Sequence, residues 1–422
     1  MIGRILLIAL AVVTAGVGGV VLASVQSSSG DESTSALPVL RSEPAEPTAS
    51  TQPGGEANVT TTAEPLPDRT AELVASLTVE EKVGQLFMPV VGGLDATNVG
   101  DATRSYNVDT FGYATPAEIV SAYRLGGVIY LGENIADAEQ VGRFSAGLQE
   151  AAEADSGIGL LVAVDQEGGR VNRLTDGVTV FPSAAVLSGD IETVREAGYV
   201  TGRQVTLQGI NVVLAPVADI GAAGADGAIG SRSYGEDPAL VADMVSAAVG
   251  GLQEAGVAAA VKHWPGHGGT EDDSHTELPK LEVDKAGWDA NERIPFEAAL
   301  DEDVSIVLVG HLVFPQLDPS DSPATTSQVL IEELLRGELG YDGVVMTDAL
   351  NMGAVSDFDE PQLVVASLVA GADIMLVPRD LPGSYQAVLD AVASGELSQE
   401  RLDESVTRVL RLKQQLGLLP TS

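Results

Sequence analysis

The chain contains no cysteine. That removes disulfides, thiolate metal sites, cysteine nucleophiles and a lipid-modified cysteine together. Cations are scarce as well: 22 Lys+Arg, only five of them lysine, stand against 61 Asp+Glu, a net charge of −39 over 422 residues. Such a field repels polyphosphates at every orientation, which argues against a nucleic-acid or anionic-membrane binder and points to neutral or cationic partners. The acid excess fits either an ordinary solvated surface or a salty medium, where screening would weaken a milder charge. Chemistry falls to carboxylates, hydroxyls, lysine and the four histidines.

What is present is a globular composition, with hydrophobic residues at 45%, so disorder along the whole length is excluded. Residues 1–26 hold one early cation, Arg4, followed by an uncharged apolar run over 5–23. This is expected to be a signal peptide or a membrane anchor, and either places the rest outside the cytoplasm. Residues 27–68 are rich in Ser, Thr, Pro and Glu and are expected to form a disordered linker, because they cannot bury enough apolar surface to offset their ordering entropy. The folded domain is expected over 69–420.

Within that domain, short and nearly continuous apolar runs alternate with helical patterns. They fall at 85–91, 127–131, 160–165, 212–218, 258–262, 305–310, 343–347 and 373–377. Runs of this kind suit parallel strands buried on both faces, and eight of them predict an α/β fold, a (β/α)8 TIM barrel, with a doubly wound open sheet as the alternative. Helix starts are marked by the capping boxes Thr78–Glu81 and Thr115–Glu118, the second with Pro116 at the first helical position. The Gly/Asp-rich stretch 92–114 is expected to be a loop over one barrel end.

In such a barrel the strand C-termini converge on one face, and the unusual polar residues cluster there in sequence. Asp165 to Arg173 follows the third run, Arg232 lies in the loop after the fourth, Lys262 to His275 ends the fifth, and Asp348 ends the seventh. Three of the four histidines lie in Lys262–His275, and the fourth, His311, follows the sixth run. His263, His267 and His275 offer metal-ligand types, but Pro265-Gly266 and Gly268-Gly269 break the helix that an i, i+4 pair would need, and no metal or cofactor is expected. Asp348 can serve as a carboxylate nucleophile, or as a helix N-cap for the segment after it. Asp273 and His275, two residues apart on a bent loop, can form a proton-transfer pair, or merely a hydrogen bond holding a glycine-rich turn. Asp165, Arg173, Arg232, Lys262 and His263 supply the donors and acceptors that a polyhydroxylated ligand needs once water is displaced. Arg170 and Asp237 are read instead as salt-bridge residues of the barrel mouth.

The run Lys262-His-Trp-Pro-Gly-His-Gly-Gly-Thr-Glu-Asp-Asp-Ser-His275, with Asp165-Gln-Glu-Gly-Gly-Arg-Val-Asn-Arg173 before it and Thr347-Asp-Ala-Leu-Asn-Met352 after it, resembles the β-N-acetylglucosaminidases of glycoside hydrolase family 3. The similarity extends from about Glu72 to about Leu418. It implies a (β/α)8 barrel and an exo-acting, retaining hydrolysis of terminal β-linked N-acetylglucosamine from cell-wall fragments or chitin-type oligosaccharides. Asp348 would be the nucleophile, and His275 with Asp273 the acid/base in place of the second carboxylate of most retaining glycosidases. Asp165, Arg173, Arg232, Lys262 and His263 would grip the terminal sugar. Other branches draw the acid from a second domain. With the chain ending at Ser422 shortly after the last helical pattern, the histidine dyad is expected. A monomer is expected as well. Trp264 stands where the motif more often has Phe, and 92–114 has no obvious counterpart. Phosphorolysis, β-glucosidase activity on the same scaffold and a non-catalytic carbohydrate-binding wall protein are the competing readings.

Overall fold

A computed structural model describes residues 69–221, 228–270 and 272–420, apart from the Asp155 side chain. The expected signal or anchor and the linker lie outside the described residues. No helix among the described residues is long and apolar enough to cross a membrane.

The fold is α/β, with parallel strands separated by helices. The strands are β1 (Phe87–Met88), β2 (Gly127–Tyr130), β3 (Leu161–Val164), β4 (Val212–Val213), β5 (Ala258–Trp264), β6 (Ile306–Val309), β7 (Val344–Thr347) and β8 (Met375–Leu376). Each falls on one of the eight predicted runs, with β5 extending two residues past its run. Strands β2 to β7 pair in sequence order as a parallel half-barrel sheet, and β1 pairs with β8. The order continues at both seams: Ile129 N donates to Pro89 O at 3.1 Å and Thr347 N to Ile374 O at 2.9 Å.

Side-chain alternation explains why the runs lack polar interruptions. Ile129, Leu161, Ala163, Ala258, Ala260, Ile306, Leu308, Val344 and Met346 form one buried cluster. Their strand neighbours Val128, Val162, Val164, Ala259, Val261, Val307, Val309 and Val345 belong to another, shared with the helices. Successive residues of a strand point to opposite faces, and here both faces meet apolar partners. Val409 and Leu412 of the C-terminal helix Gln399–Gln415 join the first cluster. Leu418, just beyond that helix, accepts from Gly159 N ahead of β3, so the helix covers the N-terminal ends of the strands.

Both expected capping boxes form: Thr78 and Thr115 each accept from the third helical amide, and Glu81 and Glu118 reach back to the cap amides. The stretch 92–114 departs from expectation, since Asp101–Phe111 is a helix ended by Gly112 at φ 81°. Only Asn107 and Phe111 of this helix are buried, so no apolar stripe announces it in the sequence. Asn107 ties the stretch together, donating to Gly92 O and Ala114 O and accepting from Gly92 N.

Candidate active site

At the C-terminal ends of the strands lies a cavity of about 370 Å³, and all eight sequence-predicted site residues line it. Asp165 follows β3 directly. A short hairpin, Gln166–Gly168 against Val171–Asn172, then carries the chain to Arg173. Its turn uses Gly168 and Gly169 at φ 94° and 58°, a region that favours glycine, and a Cβ at Gly168 would stand 2.6 Å from Pro182 O. Lys262 and His263 are neighbours on β5, yet both reach the cavity. The register of β5 against β6 shifts between Lys262 and Trp264, as a bulge does when it re-aims a side chain. The Lys262–His263 peptide is cis.

Five of these residues join two others in a continuous chain of alternating charge. Asp219 Oδ2 lies 2.6 Å from His263 Nδ1, and His263 Nε2 lies 3.3 Å from Arg232 Nη2. Arg232 makes a two-pronged contact with Glu167, both bonds 2.8 Å. Glu167 is also 2.6 Å from Lys262 Nζ, which reaches Asp165 at 2.9 Å; Arg173 meets Asp165 at 3.5 Å. An arginine only donates, so His263 Nε2 offers Arg232 its lone pair and Nδ1 carries the proton shared with Asp219. Burial pushes the Glu167 carboxyl up, but Lys262 and Arg232 outweigh it and hold the group well below its ordinary value. Burial pushes Lys262 down, and Asp165 and Glu167 reverse that and raise it. Glu167 and Lys262 therefore stay ionised at neutral pH.

Asp348 follows β7. Its amide donates to Val309 O, and its Oδ1 accepts from Ala349 N, both at 2.8 Å. No helix starts at Ala349, which corrects the N-cap alternative. Burial alone would raise the Asp348 carboxyl; His263, His311, the Ala349 amide and Lys262 bring it below the ordinary carboxylate value. On the rim, His275 Nδ1 lies 2.6 Å from Asp273 Oδ1, which also accepts from the His275 amide at 3.0 Å. The two side chains are 62% and 43% exposed, so this pair faces solvent and cavity while Asp348 is half-buried. The arrangement combines an ionised carboxylate, a hydrogen-bonded Asp–His pair on the rim and further hydrogen-bonding groups around one cavity.

Glu167 and Asp219 were not singled out in the sequence. Glu167 lies three residues beyond β3 and Asp219 six beyond β4, and each answers a buried cation or imidazole whose burial sequence does not report. One other expectation changes: Asp237 caps the helix Pro238–Glu254 by accepting from Ala239 N at 3.0 Å. Arg170 lines the cavity and donates to Ala228 O at 2.6 Å. Among the described residues no group of three or more His, Asp or Glu is disposed to hold a metal ion. His311, buried between Thr325 and the Ala349 carbonyl, stands behind the Asp348 segment.

The family model described as the glycosyl hydrolase family 3 N-terminal domain matches residues 78–412. Beta-hexosaminidase A of Pseudoalteromonas piscicida is 35% identical over 329 residues, 71% of this chain and 55% of that protein; the chain thus spans about half of that relative. Beta-hexosaminidase LpqI of Mycobacterium tuberculosis is 34% identical over 396 residues, 90% of this chain and 94% of that protein. The solved structure of a glycoside hydrolase family 3 beta-N-acetylglucosaminidase from Paenibacillus sp. str. FPU-7 superposes with a TM-score of 0.74 at 42% identity, covering 81% of this chain and 63% of that one.

Proposed function

The chain belongs to glycoside hydrolase family 3, and from that premise we propose that it is an exo-acting, retaining β-N-acetylglucosaminidase. The observation that carries the reading is the single cavity shared by Asp348 and the Asp273–His275 pair. Asp348 attacks the anomeric carbon as the glycosidic bond breaks, and the departing oxygen takes the Nε2 proton of the His275 imidazolium. Nδ1 stays committed to Asp273, which fixes the ring. In the second step water attacks the same carbon, His275 Nε2 accepts its proton, and the bond to Asp348 breaks. Two inversions leave the β configuration unchanged.

Asp165, Arg173, Arg232, Lys262 and His263 bind the hydroxyls of the terminal sugar in this scheme. The eight parallel strands, with hydrogen bonds at both seams, support reading the ring as a closed (β/α)8 barrel. Residues 69–420 then form the catalytic domain, proposed to act as a monomer. The apolar run over 5–23 supports an extracytoplasmic location, secreted or anchored, where cell-wall fragments or chitin-type oligosaccharides are the substrates.

The test is turnover by the full chain of aryl β-glycosides that differ only in the 2-position substituent. Acetamido is expected to be strongly preferred over hydroxyl; equal or reversed preference rejects the N-acetylglucosaminidase assignment. Added phosphate should leave free sugar as the product, and a sugar 1-phosphate would reassign the enzyme as a phosphorylase.

A further inference from the structure

Between the two glycine-rich breaks of the segment after β5 lies a histidine that the proposed mechanism does not use. His267 is 1% exposed, and its Nε2 lies 2.9 Å from the Ser274 hydroxyl. Ser274 sits between Asp273 and His275 and is 2% exposed, in contrast to its solvent-facing neighbours. It is the inward-turned residue of the acid/base segment, and His267 is the side chain that meets it. Burial pushes the His267 imidazole below its ordinary value, outweighing Asp219, so the ring is neutral at neutral pH.

The contact extends in two directions. Asp219 Oδ1 accepts from the backbone amides of both His263 and His267, at 3.1 and 2.7 Å, while Oδ2 holds the His263 ring. One buried carboxylate therefore fixes the sugar-binding histidine and the histidine behind the acid/base pair in a single frame. On the other side, Ala354 N and Gly353 N donate to Ser274 O and His275 O, both at 3.1 Å, which ties the segment to the loop that follows Asp348.

From this connectivity we infer that Asp219, His267 and Ser274 are positioning residues that hold the His275 imidazole at the height above Asp348 where it can protonate the leaving oxygen. The inference rests on reading Asp273–His275 as the acid/base. None of the three touches a reacting atom in that scheme. The effect of His267 and Ser274 is confined to proton transfer, because Asp348 is held separately by Val309 O and Ala349 N, whereas Asp219 also holds the sugar-binding His263. A displacement of about 1 Å in such a group costs roughly 10²-fold, and only where the departing oxygen needs a proton.

The experiment compares His267→Gln and Ser274→Ala with the parent chain on aryl β-N-acetylglucosaminides of increasing leaving-group pKa and on a disaccharide substrate, reading kcat/KM for each. The expected result is a steepened dependence on the leaving group: a loss of about 10-fold to 10²-fold on the poorest leaving groups and little loss on the most activated one. Ser274→Thr, which keeps the hydroxyl, should restore most of the parent slope. A uniform loss across the series, or an unchanged slope in both His267→Gln and Ser274→Ala, overturns the positioning role. His275→Ala on the same series separates the two levels. If it steepens the slope and the other two variants do not, the positioning role alone fails; if it does not steepen the slope, the acid/base assignment fails and the inference with it.

Discussion

Both ends of the strand ring bury charge, but they do so differently. At the mouth, Lys262, Arg232 and Glu167 are buried, yet the chain they form with Asp165 and His263 opens along one side onto a cavity. At the base, Asp373 is fully enclosed. It is bonded to Arg336 at 2.8 Å, Arg401 at 3.1 Å, Ser405 at 2.7 Å and the Val345 amide at 3.0 Å, with Arg408 at 3.4 Å. Ser405, Arg401 and Arg408 all come from the helix Gln399–Gln415, so the carboxylate fastens that helix beneath β7. The same elementary parts, a carboxylate among several cations, suit stability where they are closed off and, in the proposed reading, ligand recognition where one side is left open. Buried charge alone does not mark a functional site; the accessible face beside it does.

The widest separation between the two ends should come from one substitution at each. Asp348→Asn is expected to lower kcat by roughly 10⁴-fold or more while leaving the thermal midpoint close to that of the parent. Asp373→Asn should do the reverse. It leaves several guanidinium groups without their carboxylate, which costs about 3–5 kcal/mol, and activity per folded molecule should persist. Calorimetry paired with turnover of an aryl β-N-acetylglucosaminide reads both, and a fold lost in the first variant or an activity lost in the second would erase the contrast.

Glu167→Gln sharpens the comparison from within the mouth. Lys262 and Arg232 lose their common partner, so KM should rise about tenfold, the worth of one charge-assisted hydrogen bond, with a smaller change in kcat. The Glu167 carboxyl is held below its ordinary value of 4.5, so its contribution to stability is present above that pH and is lost as pH falls through the lower folded value. The difference in thermal midpoint between parent and variant should therefore narrow on acidification below about 4.5. A constant difference across that window would contradict the assignment.

The smallest effect is expected at the base. Lys413 is fully buried with its ammonium 2.6 Å from Gln85 Oε1, and burial pushes it from 10.5 down to about 7. Between those values the unfolded chain carries a proton that the folded chain lacks, so the residue costs stability as pH drops and the cost levels off below about 7. Lys413→Met should raise the thermal midpoint by a few degrees at pH 7 and by almost nothing near pH 10.5. Loss of stability at pH 7 would mean that the bond to Gln85 outweighs the desolvation.

How much of this is legible in the sequence follows from what each feature depends on. The strands are legible because burial on both faces leaves an uninterrupted apolar run, as at 160–165 and 305–310. The mouth is legible because its side chains lie directly beyond those runs in glycine-punctuated segments, and all eight expected residues line one cavity. Asp219 and Glu167 also lie beyond strands, but their importance comes from partners 44 and 65 residues away in the chain, which no local pattern reveals. Asp373 was read only as the start of the last strand, since its cations arrive from two distant helices. The helix Asp101–Phe111 escaped because it presents a nearly polar surface to every side.

The central claim is that Asp348 forms the glycosyl-enzyme bond. Incubating the full chain with a 5-fluoro N-acetylglucosaminyl fluoride, which slows the second step more than it prevents the first, and then mapping peptides by mass spectrometry tests it most directly. The account predicts an adduct of the fluorinated sugar on the peptide bearing Asp348. An adduct on a different carboxylate, or inhibitor turnover with inversion and no adduct at all, would contradict it.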